Sequence, residues 1–119
     1  MSDSPHITTS PATDDDVTVL SVDGEIDMAT APAFETAIDE LLGTSPQALI
    51  IDLSRVRYID SAGLTILMRT HHRRSGVGHF AVVAERVCRR PIELIGLHKL
   101  FAVCPTLADA RDAVRTPAQ

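Results

Sequence analysis

The sequence predicts an α/β fold: a mixed sheet of parallel strands with an antiparallel edge and about four helices. Three observations carry this. Short continuous apolar runs, such as Ala48 to Leu53, suit strands covered on both faces. Segments with helical apolar spacing lie between them. Their alternation makes repeated βα units, which imply parallel strands joined by crossover helices.

The elements follow in order. Met1 to Asp16 is polar and acidic, with three consecutive Asp and little to bury. Residues 1–16 are therefore expected to be a flexible acidic tail, and they do not resemble a signal peptide. Val17, Val19, Leu20 and Val22 read as a strand, and Asp23-Gly24 as a turn. Glu25-Ile26-Asp27 reads as a second short strand or its end, and the opening strand pair is expected to add the antiparallel edge. Phe34, Ala37, Ile38, Leu41 and Leu42 have helical spacing, with Gly43 as the stop. The strand at Ala48 to Leu53 comes next. A second helix starts near Ser61, with Leu64, Leu67, Met68 and His71 on its inward face. Gly76 and Gly78 bracket a turn before the strand Phe80 to Val83. Pro91 to Leu97 is read as a short helix with Ile92 and Ile95 inward, and Leu100 to Val103 as the last strand. Thr106 caps a final helix through Leu107, Ala110 and Val114. The domain spans residues 17–115, and residues 116–119 are expected to be disordered.

Composition narrows the function. A chain of 119 residues has room for one core. Aromatic residues are 3%, which argues against a base-stacking surface, so no direct nucleic-acid contact is expected. No apolar run reaches the roughly 20 residues of a membrane span. Two cysteines cannot form a disulfide framework. A cytoplasmic protein with no membrane partner is the expectation. The net charge of −5 conceals a split. All eleven Lys and Arg fall after residue 53, whereas eleven of the sixteen acids precede it. Folding either polarises the surface, which would steer a partner, or interleaves the two halves.

One segment stands out for chemistry, Tyr58-Ile59-Asp60-Ser61-Ala62-Gly63-Leu64. It places Ser61 at the start of a helix, where outward N–H groups and the helix dipole favour an anion. The plain alternative is that Asp60 or Ser61 is only an N-cap.

Gly24-Glu25-Ile26-Asp27 after the first strand, Asp52-Leu53-Ser54 at a strand end and Asp60-Ser61-Ala62-Gly63-Leu64 resemble the STAS family, specifically bacterial anti-sigma factor antagonists. Ile95-Gly96-Leu97 is similar to that family's third-helix ending, and the likeness covers nearly all of residues 17–115. The resemblance implies a STAS-like sheet and a binding module that regulates transcription, not an enzyme. The unmodified protein would bind an anti-sigma factor that is also a serine kinase. Phosphorylation at Ser61 would end the interaction, and a serine phosphatase would restore it. Asp60, Ala62 and Gly63 match the phosphoacceptor loop, and Asp27 a position beside the partner surface. The kinase would bring its own ATP and Mg²⁺, so this chain itself needs no cofactor. The alternative within the family is a non-switching STAS subunit of a transport or other multiprotein complex.

The remaining candidates are weaker. Arg69, Arg73 and Arg74, with Arg86, Arg89 and Arg90, form either a docking patch or a solvated surface. Ile66 lies off the predicted inward face and is either a partner contact or peripheral core. Cys88, flanked by Arg86, Arg89 and Arg90, and Cys104 are a candidate redox pair, because nearby cations favour the thiolate. Two unrelated small hydrophobes are the alternative. Pro91 departs from the family pattern and is expected to shorten or kink the third helix. His71-His72 are adjacent and point apart on a helix, so no metal site is expected. Gly76-Val77-Gly78 lacks a third Gly and precedes a strand, and no G-x-S-x-G elbow surrounds Ser61.

Overall fold

The computed structural model describes residues 7–14 and 16–115. Its centre is β2 (Val17–Ile26) paired in parallel with β3 (Ala48–Ile59). Alternate residues of β3 feed two cores. Leu49, Ile51 and Leu53 belong to the larger cluster, whereas Ala48 and Ile50 belong to the smaller. The apolar run at the start of β3 thus serves both faces of a covered sheet, as predicted.

β4 (His79–Val83) and β5 (Ala102–Cys104) extend the sheet in parallel, in the order β1-β2-β3-β4-β5. The crossovers are α1 (Ala31–Leu42), α2 (Ser61–Arg74) and α3 (Arg86–Leu94). Phe34 and Ile38 of α1, Leu67 of α2 and Ile92 of α3 fill the larger cluster. α4 (Leu107–Arg115) sets Ala110 and Val114 in the smaller one. The Thr106 hydroxyl accepts the Asp109 N–H at 3.1 Å, the cap expected of it.

The antiparallel edge exists but is built from other residues than expected. β1 (Ile7–Asp14) pairs antiparallel with β2 over eight residues, from Ile7 opposite Gly24 to Asp14 opposite Val17. The flexible-tail expectation is corrected for this segment. β1 escapes a hydrophobicity-based reading because its burial is slight and its stability comes from backbone pairing. Pro11 is acceptable there because β1 is an edge strand. Residues 1–6 and 116–119, also assigned to flexible termini, lie outside the described residues. Asp23-Gly24 does not turn the chain. β2 runs through it with register shifts against β3, and Gly24 takes φ of 127°, open to glycine and strained for other residues.

Further corrections concern faces and ends. α2 buries Gly63, Leu64, Ile66, Leu67, Thr70 and Arg74, while Met68 is exposed. Its inward face is therefore rotated from the one apolar spacing suggested. Ile66 is 3% exposed, so it is core rather than an exposed partner contact. α3 begins well before Pro91, which lies inside it, and ends before Leu97. Ile95 points out, and Leu97 takes the core position from a short 3-10 turn.

The charge split folds into ion pairs. Asp23–Arg57, Glu35–Arg69, Asp39–Arg73 and Asp14–Arg111 each join an acid of the first half to an arginine of the second. Exposed pairs of this kind contribute about 0–1 kcal/mol each. Their larger effect is to interleave the two charge blocks rather than leave two poles.

Candidate functional site

The site lies at the carboxyl ends of β2 and β3, where α2 begins. Asp60 is the N-cap of α2, and its Oδ1 accepts the N–H of Ala62 at 2.9 Å and of Gly63 at 3.5 Å. Its own N–H donates to the Ile26 carbonyl at 3.0 Å. The loop is thereby fixed to the neighbouring strand. Gly63 is buried, and a Cβ there would stand 2.6 Å from Ile26 Cγ2 and 2.7 Å from Ile59 Cγ1. Only glycine lets the first turn of α2 lie so close to both strand ends.

Ser61 is the first helical residue and is exposed. Among the described residues its hydroxyl makes no hydrogen bond. The cap is therefore Asp60, and Ser61 is left free at the helix N-terminus. Ala62, half-buried, adds no bulk beside it. Asp60 already occupies the N–H groups of Ala62 and Gly63, so an anion on Ser61 would meet a carboxylate where a bare helix start would offer donors.

Asp27 follows Ile26 directly and closes the other side. Its Oδ1 accepts the N–H groups of Ala29 at 2.9 Å and Thr30 at 3.1 Å, and its N–H donates to Thr30 Oγ1 at 2.9 Å. Thr30 Oγ1 in turn donates to the Glu25 carbonyl at 2.7 Å. Asp27 thus holds the start of α1 next to the Ser61 loop.

Between α1 and α2 runs an open groove of about 360 Å³ lined by Met28, Ala31, Pro32, Glu35, Ala62, Thr65, Ile66 and Arg69. Met28 is 82% exposed at its rim. Arg69 bonds Glu35 at 2.9 Å across it. The sequence reading missed Met28, Thr65 and Glu35. A bare methionine in a turn, four residues from a pairing-competent Pro-x-x-Glu start, was the available signal for Met28. The α2 arginines are not a free basic patch: Arg69 and Arg73 pair with α1, and Arg74 is buried. Arg89 pairs with Glu93 at 2.9 Å.

Both cysteines are free and buried. Cys88 belongs to the larger core cluster and Cys104 to the smaller, so the sheet separates them. Burial pushes the Cys88 thiol up to about 11 and raises that of Cys104, to which Asp109 adds. Both effects oppose the thiolate that a redox pair requires. Among the described residues no His, Cys, Asp and Glu cluster could hold a metal.

The fold and the site define a small α/β module that presents a hydroxyl on a rigid, capped loop beside an apolar groove, the architecture of a regulatory protein-binding domain. The STAS domain model matches residues 9–110. The chain belongs to the STAS family. It is 47% identical over 116 residues to the anti-sigma-F factor antagonist RsfB of Mycobacterium tuberculosis, covering 97% of this chain and 95% of that protein. The crystal structure of an anti-sigma factor antagonist from Mycobacterium paratuberculosis superposes with a TM-score of 0.89 at 51% identity, covering 92% of this chain and 94% of that one. The unphosphorylated form of the anti-sigma factor antagonist SpoIIAA shares the fold, with a TM-score of 0.67 at 17% identity over 92% of this chain and all of the other.

Proposed function

We propose that the chain is an anti-sigma factor antagonist that binds an anti-sigma serine kinase when unmodified and is switched off by phosphorylation at Ser61. The free, exposed Ser61 hydroxyl at the start of α2 carries this reading, together with the antagonist relatives at 47% and 51% identity. The chain acts in the cytoplasm as a binding partner and supplies only the hydroxyl; kinase and phosphatase are separate proteins. Asp27, Asp60, Ser61, Ala62 and Gly63 shape the contact surface. Arg69 borders it through its bond to Glu35, and Ile66 supports it from beneath.

Phosphorylation adds about −1.5 to −2 charge. A single added charge about 6 Å from a like charge, at an effective dielectric near 20, costs roughly 3 kcal/mol. That weakens binding about a hundredfold without refolding the domain. The test is calorimetric affinity for the cognate kinase of wild type, Ser61→Ala, Ser61→Asp and the phosphorylated protein. Ser61→Ala should bind like wild type, Ser61→Asp more weakly, and the phosphorylated form weakest. Phosphate on another residue, or unchanged affinity after phosphorylation, overturns the switch and leaves a non-switching STAS subunit.

A further inference from the structure

At the opposite end of α2 from Ser61, Arg74 is buried, with 2% of its surface exposed. Its Nη2 donates to the carbonyls of Pro46 at 2.7 Å and His79 at 3.3 Å. Nε is buried without a partner, and among the described residues no carboxylate pairs with the guanidinium. Two carbonyl dipoles are weak compensation for a desolvated cation. Burial accordingly lowers the pKa of Arg74, and it lowers that of His71, where His72 adds to the effect. The glycine at 78 allows this placement, since a Cβ there would collide with Nη2.

The guanidinium lines an open cavity of about 420 Å³ whose other walls include His71, His79, Phe80, Leu100 and Phe101. Phe80 and Phe101 meet edge to face at 5.0 Å, and His71 lies 5.8 Å from Phe101. One side carries the Arg74 cation; the other is apolar and aromatic. This is the anatomy of a small-molecule site, with a few placed polar groups on an apolar wall.

We propose that this cavity binds a small amphipathic anion, a carboxylate carried on an acyl or aromatic tail. The carboxylate accepts from Nη1 of Arg74, since Nη2 is committed to the Pro46 and His79 carbonyls and Nε is buried, with His71 and His79 beside it, and the tail lies on Phe80, Phe101 and Leu100. The 14 residues of α2 place this site about 20 Å from Ser61, so it is independent of the phosphorylation surface.

The test is an NMR titration of the full chain with octanoate, acetate and inorganic phosphate, read at the Arg74 Nε–H, the His71 ring and the Leu100 amide. Octanoate should shift all three and bind at least tenfold more tightly than acetate or phosphate. Leu100→Glu puts a carboxylate at the exposed mouth, leaves the melting temperature unchanged and should weaken octanoate at least tenfold. Arg74→Gln should abolish the response if it folds, and Leu100→Glu decides the matter if it does not. Absence of shifts at Arg74, equal affinity for acetate and octanoate, or octanoate binding to Leu100→Glu as to wild type would each overturn the proposal.

Discussion

The Asp60 N–H donates to the Ile26 carbonyl at 3.0 Å while the Asp60 carboxylate caps the turn that follows. One residue therefore fastens the Ser61 loop to β2 and starts α2. The exposed serine sits on a support with little freedom, and a partner that recognises it loses little entropy in ordering the loop.

Gly63→Ala tests how tight that support is. The added methyl must displace Ile26 and Ile59, both at the ends of central strands. Overpacking of this kind costs about 1–3 kcal/mol. Urea denaturation should show a lower midpoint with an unchanged slope. A variant as stable as wild type would mean that the first turn of α2 does not rest on those isoleucines.

Asp60 separates capping from charge. Asp60→Ala removes the acceptor for the Ala62 and Gly63 N–H groups and should cost about 0.5–2 kcal/mol. Asp60→Asn keeps an acceptor oxygen and should retain most of that stability. In the phosphorylated protein the same Asn variant presents one negative charge fewer to the partner and should recover part of the lost kinase affinity. Calorimetric affinity of phosphorylated wild type and phosphorylated Asp60→Asn reads this directly; equal values would place the repulsion elsewhere.

The parallel sheet and its crossover helices were legible because their signals are long apolar runs at two distinct periods. The Ser61 loop was legible because Asp, Ser and Gly each have a steric or electrostatic reason to stand where they do. β1 was not, since an edge strand such as Ser10-Pro11-Ala12 is held by backbone pairing that leaves no hydrophobic trace. The true inward face of α2 was hidden for a related reason. Thr70 satisfies its hydroxyl on the Ile66 carbonyl at 2.7 Å, and Arg74 satisfies part of its charge on the Pro46 and His79 carbonyls, so two polar residues occupy core positions. The groove at Met28 needed tertiary structure, because its two walls come from different helices.

Cys88 should be silent to alkylation. With its thiol raised to about 11 and buried under α3, iodoacetamide at mildly alkaline pH should modify it only after unfolding. The raised value also sets a sign for stability. The unfolded thiol ionises at its ordinary value of 9.0, whereas the folded one stays neutral there. The Cys88 contribution is therefore complete below that pH and is lost as pH rises toward about 11. Cys88→Ala should flatten this part of the melting temperature's pH profile, though it opens a small cavity. Rapid native-state labelling, or an intramolecular disulfide after mild oxidation, would contradict the buried neutral thiol.

Removing residues 1–14 should destabilise the domain, because the removed chain includes all of β1. Ile7 is half-buried against the larger core, and Thr13 Oγ1 meets Thr18 Oγ1 at 3.0 Å across the strand pair. Burying part of an isoleucine is worth about 1 kcal/mol, and a cross-strand threonine pair about 0.2–1 kcal/mol. The Asp14–Arg111 pair at 4.0 Å adds little because Asp14 is largely exposed. The entropy released from an eight-residue strand offsets part of the loss from its pairing. The net effect should be on the order of 1–2 kcal/mol, or a melting temperature lower by roughly 4–15 °C. Truncation also exposes the ladder edge of β2, whose Val17, Val19 and Leu20 are strongly apolar, so the shortened protein should self-associate at high concentration. Deleting only residues 1–6 separates the contribution of the strand from that of the residues before it. Thermal melts and sedimentation of the two truncations give the answer: if removing residues 1–14 changes neither, β1 does not contribute to the stability of the sheet.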